Sequence, residues 1–129
     1  MPLEETLDGV LGFETLEAGP ELARSRAVVA NKLKQPLGLV HGGVFAAMAE
    51  SLASLATALA VASEGKIAVG LANQTSFMRP VLEGTVHAEA RRRHKGSTTW
   101  IWDVELTDDQ GRVCALSRMT IAVRPAPAR

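Results

Sequence analysis

The chain has no tyrosine, and its only cysteine is Cys114. A lone thiol excludes an internal disulfide framework, so stability must come from an ordinary core. Charge of one sign is also missing, since 14 Lys and Arg balance 14 Asp and Glu. No overall field therefore favours nucleic acid or an anionic membrane surface. No His and Cys cluster has metal-ligand spacing, and no glycine-rich phosphate loop is present. The opening MPLEETLDGV has acids where a signal peptide would carry its basic segment. Together these absences lead us to expect a cytoplasmic protein that needs neither metal nor redox cofactor. No repeat or linker divides residues 1–129, which have the length of one domain.

What is present is apolar and strongly patterned. Hydrophobic residues make up 47% of the chain, enough for a core of its own. Residues 3–11 suit a short amphipathic helix ended by Gly12. FETLEAG and LARSRAVVA read as short strands about the turn at Gly19-Pro20, and NKLKQPLGLVHGG as loop. A long helix is expected from about Val44 to Ala62. The period then falls to two, and KIAVGLANQTSFMRP, TVHAEARRRH, TTWIWDVELTD and RVCALSRMTIAVRP read as four strands. Turns at Glu83-Gly84, HKGS and DDQG suit antiparallel hairpins. Trp100, Trp102, Val104 and Leu106 share one strand face, Asp103 and Glu105 the other. These elements predict an α+β protein in which an antiparallel sheet curls around a helix. Its open edges and uncovered helix face predict a homo-oligomer, at least a dimer and further a dimer of dimers.

Between Gly42 and Ser63 the only charged residue is Glu50, with no Lys or Arg three or four positions away. The stretch is long enough to span a bilayer, but it is rich in Ala, Gly and Ser and lacks basic flanks. A core helix, with no membrane partner, fits it better. A lone carboxylate in a stretch expected to be buried is costly unless something requires it. Helical spacing puts Gly43, Ala46, Ala47, Glu50, Ser54 and Thr57 on one small or polar stripe, resembling the floor of a cleft. Val44, Met48, Leu52, Leu55 and Leu59 form the bulky stripe opposite. Ser54, one turn on, is in hydrogen-bond reach of Glu50.

His41, Gly42 and Gly43 stand where the helix begins. Free N–H groups there can stabilise an oxygen that gains charge during acyl transfer. Two turns separate them from Glu50, about 10–13 Å, too far for one carbonyl to meet both on one helix. Two subunits would then have to share the site. Plainer readings stand beside each of these. Glu50 could pair with a distant Arg, His41 could cap the helix, and the glycines could serve packing. Ser54 could be a small packing residue, and Cys114 reads as core. ARRRH at 90–94 reads as a solvated strand and turn, or, with Arg79 and Lys95, as a phosphate-binding surface.

The stretch KQPLGLVHGGVFAAMAESLAS closely resembles the signature of hotdog-fold acyl-CoA thioesterases. It is most similar to the PaaI-like branch holding 1,4-dihydroxy-2-naphthoyl-CoA thioesterase and the Arthrobacter-type 4-hydroxybenzoyl-CoA thioesterase. The likeness runs over residues 10–124 and takes in HKGSTTW and GRVCALSRMT. It implies a hotdog fold, an acyl-CoA substrate and paired subunits. By position it implies that Glu50 is the catalytic carboxylate, as nucleophile or as base for water. Gly42 would polarise the thioester carbonyl through its N–H with His41 beside it. Gln35 would assist at the thioester, and Ser54 would position Glu50 or water. Arg79, Ser97 and Thr98 would contact the CoA nucleotide. Leu37, Val61, Phe77 and Met78 are candidates to line the acyl pocket. A hotdog dehydratase would need a His-containing acid/base pair deep in the tunnel, but the helix carries no such His, and His87 and His94 lie on later strand and turn positions. A non-catalytic acyl-CoA binding protein would have no need of Glu50.

Overall fold

The computed structural model describes residues 1–128. Its frame is six strands: β1 (Glu14–Ala18), β2 (Leu22–Val28), β3 (Lys66–Phe77), β4 (Thr85–Lys95), β5 (Thr99–Thr107) and β6 (Val113–Pro125). Two helices accompany them, α1 (Leu7–Leu11) and α2 (Gly42–Val61). The strands form one antiparallel sheet in the order β1-β2-β4-β5-β6-β3, and α2 packs against all six.

Alternation explains the inner face. On β5, Trp100, Trp102, Val104 and Leu106 are buried while Glu105 between them is exposed. On β2, Ala23, Ser25 and Ala27 turn inward and Arg24 and Arg26 outward. Three small residues of the helix, Ala49, Ala53 and Ala56, are fully buried against the sheet. Their size lets large sheet side chains, Trp102, Met119 and Ile121, fill the space between the layers.

Several expectations are corrected. The Glu83-Gly84 turn does not close a hairpin, because β3 pairs with β6 and the chain crosses from the sheet edge to β4 inside it. Turn residues end a strand without choosing its neighbour. The 3–11 segment is split at Thr6 into a 3₁₀ turn (Leu3–Glu5) and α1, with Thr6 Oγ1 accepting from Gly9 N at 3.2 Å. Thr57 does not belong to a cleft floor. It is buried, donates to Ala53 O at 2.7 Å and accepts from Trp102 Nε1 at 2.9 Å. The bulky stripe is buried only in its first half, at Val44, Met48 and Leu52, while Leu55 and Leu59 are exposed. The N-terminal segment is tied to the helix at Ser51, whose Oγ donates to Asp8 at 2.7 Å.

The sheet edges differ. β1 has five residues, and its Glu14 and Glu17 pair with Arg26 and Arg24 on β2. Short and charged, it is protected against further pairing. β3 is twelve residues long, and Val69 and Leu71 are 55% and 62% exposed on it. The Gly42–Glu64 stretch is apolar enough to cross a bilayer, with mean hydropathy 1.7, but half of it is buried inside this fold.

Candidate active site

The start of α2 is built by His41 and the two glycines after it. His41 is the N-cap residue, with extended backbone (φ −62°, ψ 132°), and its Nδ1 accepts from Gly43 N at 2.8 Å. In the neutral ring the proton is therefore on Nε2. Each glycine has its own reason. A Cβ on Gly43 would lie 2.9 Å from His41 Nδ1, and one on Gly42 would lie 3.0 Å from the Phe77 ring. The capping of Gly43 by His41 leaves Gly42 N–H, which opens the helix and has no acceptor within it.

Glu50 is exposed in the protomer, a correction to the expected burial, because α2 emerges there beside the open edge strand β3. No cation pairs with it among the described residues, so the plain reading of a distant Arg partner finds no support. Its partner is Asn73 on β3, whose Nδ2 donates to Glu50 Oε1 at 3.4 Å and to Ala46 O at 2.9 Å. Helical side chains lean toward the helix N-terminus, so the carboxylate lies over the turn of Ala46. Ser54 is one turn the other way. Its Oγ is buried with no hydrogen-bond partner among the described residues, and the expected bond to Glu50 is not made.

A pocket of about 510 Å³ opens at the helix N-terminus. Gln35, Gly42, Phe45, Phe77, Met78 and Arg79 are among the residues that line it. Phe45 and Phe77 are tilted at 38°, with centroids 6.4 Å apart. Gln35 Oε1 accepts from Leu37 N, which leaves the Gln35 amide N–H groups to donate. Two expected lining residues are elsewhere. Leu37 is 83% exposed at a turn, and Val61 is in the core at the opposite end of α2. Glu50 does not line this pocket either. Eight residues beyond Gly42, it stands about 12 Å farther along the helix.

Ser97 and Thr98 lie at the other end of the sheet. Thr99 and Val69 both pair with Ala122, whereas Phe77 pairs with Ala115, about 24 Å away along β6. The 90–94 run is largely neutralised, with Arg91 on Glu89, Arg92 on Glu21 and Arg93 on Asp103. Arg79 makes no such pair among the described residues. A larger cleft, about 660 Å³, is lined by Glu83, Asp108, Asp109 and Arg112 and holds none of the expected site residues. His87 is 2.8 Å from Asp109 there, and its hydrogen bond holds the Asp109 carboxyl below the usual range. Among the described residues, no histidine hydrogen-bonds Glu50. Cys114 is buried, and desolvation, reinforced by the Asp108 charge, pushes its thiol up, as befits a core residue.

An antiparallel sheet wrapped about one long helix is the hotdog fold, and comparison with known proteins gives the same class. The structure matches a crystal structure of a mutant thioesterase from Pseudomonas aeruginosa with a TM-score of 0.90 and 34% identity, covering 95% of this chain and 88% of that one. In sequence it is 34% identical over 120 residues to the 1,4-dihydroxy-2-naphthoyl-CoA hydrolase of Escherichia coli, covering 93% of this chain and 88% of the relative. It is 36% identical over 118 residues to a proofreading thioesterase of Cronobacter turicensis, covering 92% and 85%. The thioesterase superfamily profile matches residues 37–115. The chain belongs to the thioesterase superfamily and is a thioester hydrolase.

Proposed function

We propose that the protein hydrolyses aromatic acyl-CoA thioesters, at sites shared between two copies of the chain. One observation carries this reading. An exposed carboxylate without a cation, Glu50, and a helix-opening N–H, that of Gly42, lie on one helix but too far apart to meet one carbonyl. In one protomer the site is incomplete. Pairing two β3 edges antiparallel brings the Glu50 of one copy toward the Gly42 of the other. It also sets one copy's Ser97–Thr98 turn on the side of the other's Arg79, which would let them share one CoA. The apolar, unprotected β3 edge supports such pairing, and the dimers would pair again into a tetramer.

In this scheme Gly42 N–H, with the Gln35 amide and His41 Nε2–H near it, holds the thioester oxygen as negative charge develops. Glu50 drives attack on the carbonyl carbon, through its own oxygen or by taking a proton from water. The C–S bond breaks, the sulfur is protonated and CoA leaves. Where Glu50 itself has attacked, water then cleaves the resulting anhydride, so that either route releases the free acid and restores the carboxylate. Ser54 has no part assigned within one protomer.

The acyl preference follows from the pocket beside Gly42. Phe45 and Phe77 give an aromatic wall that a planar ring can lie against without losing internal rotations, and the E. coli relative is named for a naphthoyl ester. Hydroxybenzoyl- and hydroxynaphthoyl-CoA are expected to show at least about tenfold higher kcat/KM than octanoyl- or palmitoyl-CoA, about 1.4 kcal/mol. A hydrolysis screen with free-thiol detection measures this. Equal or faster rates on the alkyl esters would refute the aromatic assignment.

Arg79, at the rim of this pocket, is the proposed phosphate contact. Arg79→Ala is expected to raise KM for CoA esters roughly tenfold and leave kcat nearly unchanged, because phosphates remote from the scissile bond contribute uniform binding. A short thioester without the nucleotide should be unaffected. An equal loss on it would show that Arg79 acts through structure.

A further inference from the structure

The geometry points to Asn73 as the positioning residue that aims Glu50, backed by a hydroxyl pair on β3 and β6. This rests on the catalytic role proposed for Glu50. Four observations carry it.

The first is how Asn73 reaches the helix. In a regular strand, positions 70 and 73 face opposite sides. A bulge between Gly70 and Ala72 resets the alternation, so that Gly70 pairs with Ile121 and Asn73 with Met119, both buried on the inner face. Such irregularities re-aim side chains next to functional sites. Glu50 is thereby bracketed, with Asn73 donating to it and Gly70 close by. A Cβ on Gly70 would lie 3.6 Å from the carboxylate carbon.

The second is the direction of the amide. The Thr75 hydroxyl donates to Asn73 Oδ1 at 2.6 Å, and Ser117 Oγ is 3.4 Å from the same oxygen. The amide oxygen is thus occupied by hydroxyl groups, and Nδ2 faces two acceptors, Ala46 O and Glu50 Oε1. Only one flip of the side chain satisfies all four partners.

The third is that the support is itself held in place. Thr75 Oγ1 and Ser117 Oγ are 2.9 Å apart across the β3–β6 pair, and Ser117 is only 5% exposed. Two hydroxyls on the inner face of an apolar sheet need partners, and Asn73 supplies one to both. The fourth is the bond to Ala46 O, which ties the amide to the helix one turn before Glu50. The second N–H of Asn73 holds one carboxylate oxygen, and no hydrogen bond among the described residues engages the other.

Three variants test this, each assayed for kcat, KM and thermal midpoint on one aryl-CoA ester. Asn73→Asp keeps the shape and the acceptor for Thr75 but turns a charge toward Glu50 in place of an N–H. It is expected to lower kcat about 100-fold with KM within about twofold. Asn73→Leu removes the donor without adding repulsion and should lower kcat about tenfold. Thr75→Val, near-isosteric and out of contact with Glu50, should lower kcat about fivefold by freeing the amide, and it reads out the role even if a change at Asn73 harms folding. A residue that merely packs would rank the variants in reverse, with Asp mildest. In a Glu50→Gln background, Asn73→Asp should change the residual rate by less than about twofold. Near wild-type kcat for Asn73→Asp, or a full further loss in that background, would overturn the assignment. The two failures are separable. Full activity in Glu50→Gln itself sinks the role of Glu50, whereas an inactive Glu50→Gln with an active Asn73→Asp sinks only that of Asn73.

Discussion

Glu50→Gln should lower kcat about a thousandfold, within the range expected when a positioned carboxylate is lost. The substitution keeps size and an oxygen for Asn73 Nδ2 to donate to, and it removes only the charge and basicity. Glu50 is exposed in the protomer and has no cationic partner among the described residues, so no buried charge is left uncompensated. Thermal stability and oligomeric state should therefore stay near wild type. KM should change little, because the carboxylate contributes to the transition state rather than to holding CoA. A variant with kcat within about threefold of wild type would make Glu50 structural and leave the hydrolysis to another group.

The second large effect concerns a single hydrogen atom. Gly42→Pro deletes the backbone N–H proposed to hold the oxyanion, at the one place in the helix where proline is favoured. It is the first helical position, whose N–H has no internal acceptor, and His41 before it is already extended at φ −62°, ψ 132°, as a residue preceding proline must be. The new ring would press on Phe77, since even a Cβ there lies 3.0 Å from that ring. Gly42→Ala brings the same Cβ and keeps the N–H, so it is the control for crowding. Pro is expected to lower kcat about 10²–10³-fold relative to Ala, the usual effect of losing one oxyanion donor. Equal rates in the two variants would show that Gly42 serves only to make room for Phe77.

The elements were legible because their punctuation and periods agree. The alternation of Trp100 to Leu106, the HGG that opens α2 and the turns around β5 all point to the same sheet and helix. Strand order was less legible, since Glu83-Gly84 looks the same in a hairpin and in a crossover. Glu50 drew attention because it is the only charge in an apolar run, yet its exposure depends on where β3 ends the sheet. Asn73 was hidden by the bulge, because simple counting puts it on the wrong face relative to Gly70. Sequence spacing put Ser54 within reach of Glu50, but the lean of helical side chains turned the carboxylate the other way. The distance between Ser97 and Arg79 could not be read either. It comes from β-strand register, which local sequence does not state.

The shared site can be measured by complementation. Glu50→Gln and Gly42→Pro chains, each carrying a different tag, would be coexpressed and the mixed dimer isolated. Each parent dimer is expected to be inactive. If Glu50 of one chain works with Gly42 of the other, the mixed dimer has one site with both defects and one with neither. It should then hydrolyse an aryl-CoA ester at about half the wild-type rate per dimer, with unchanged KM. If the mixed dimer is as inactive as its parents, the two residues act within one chain, and the shared-site account is wrong.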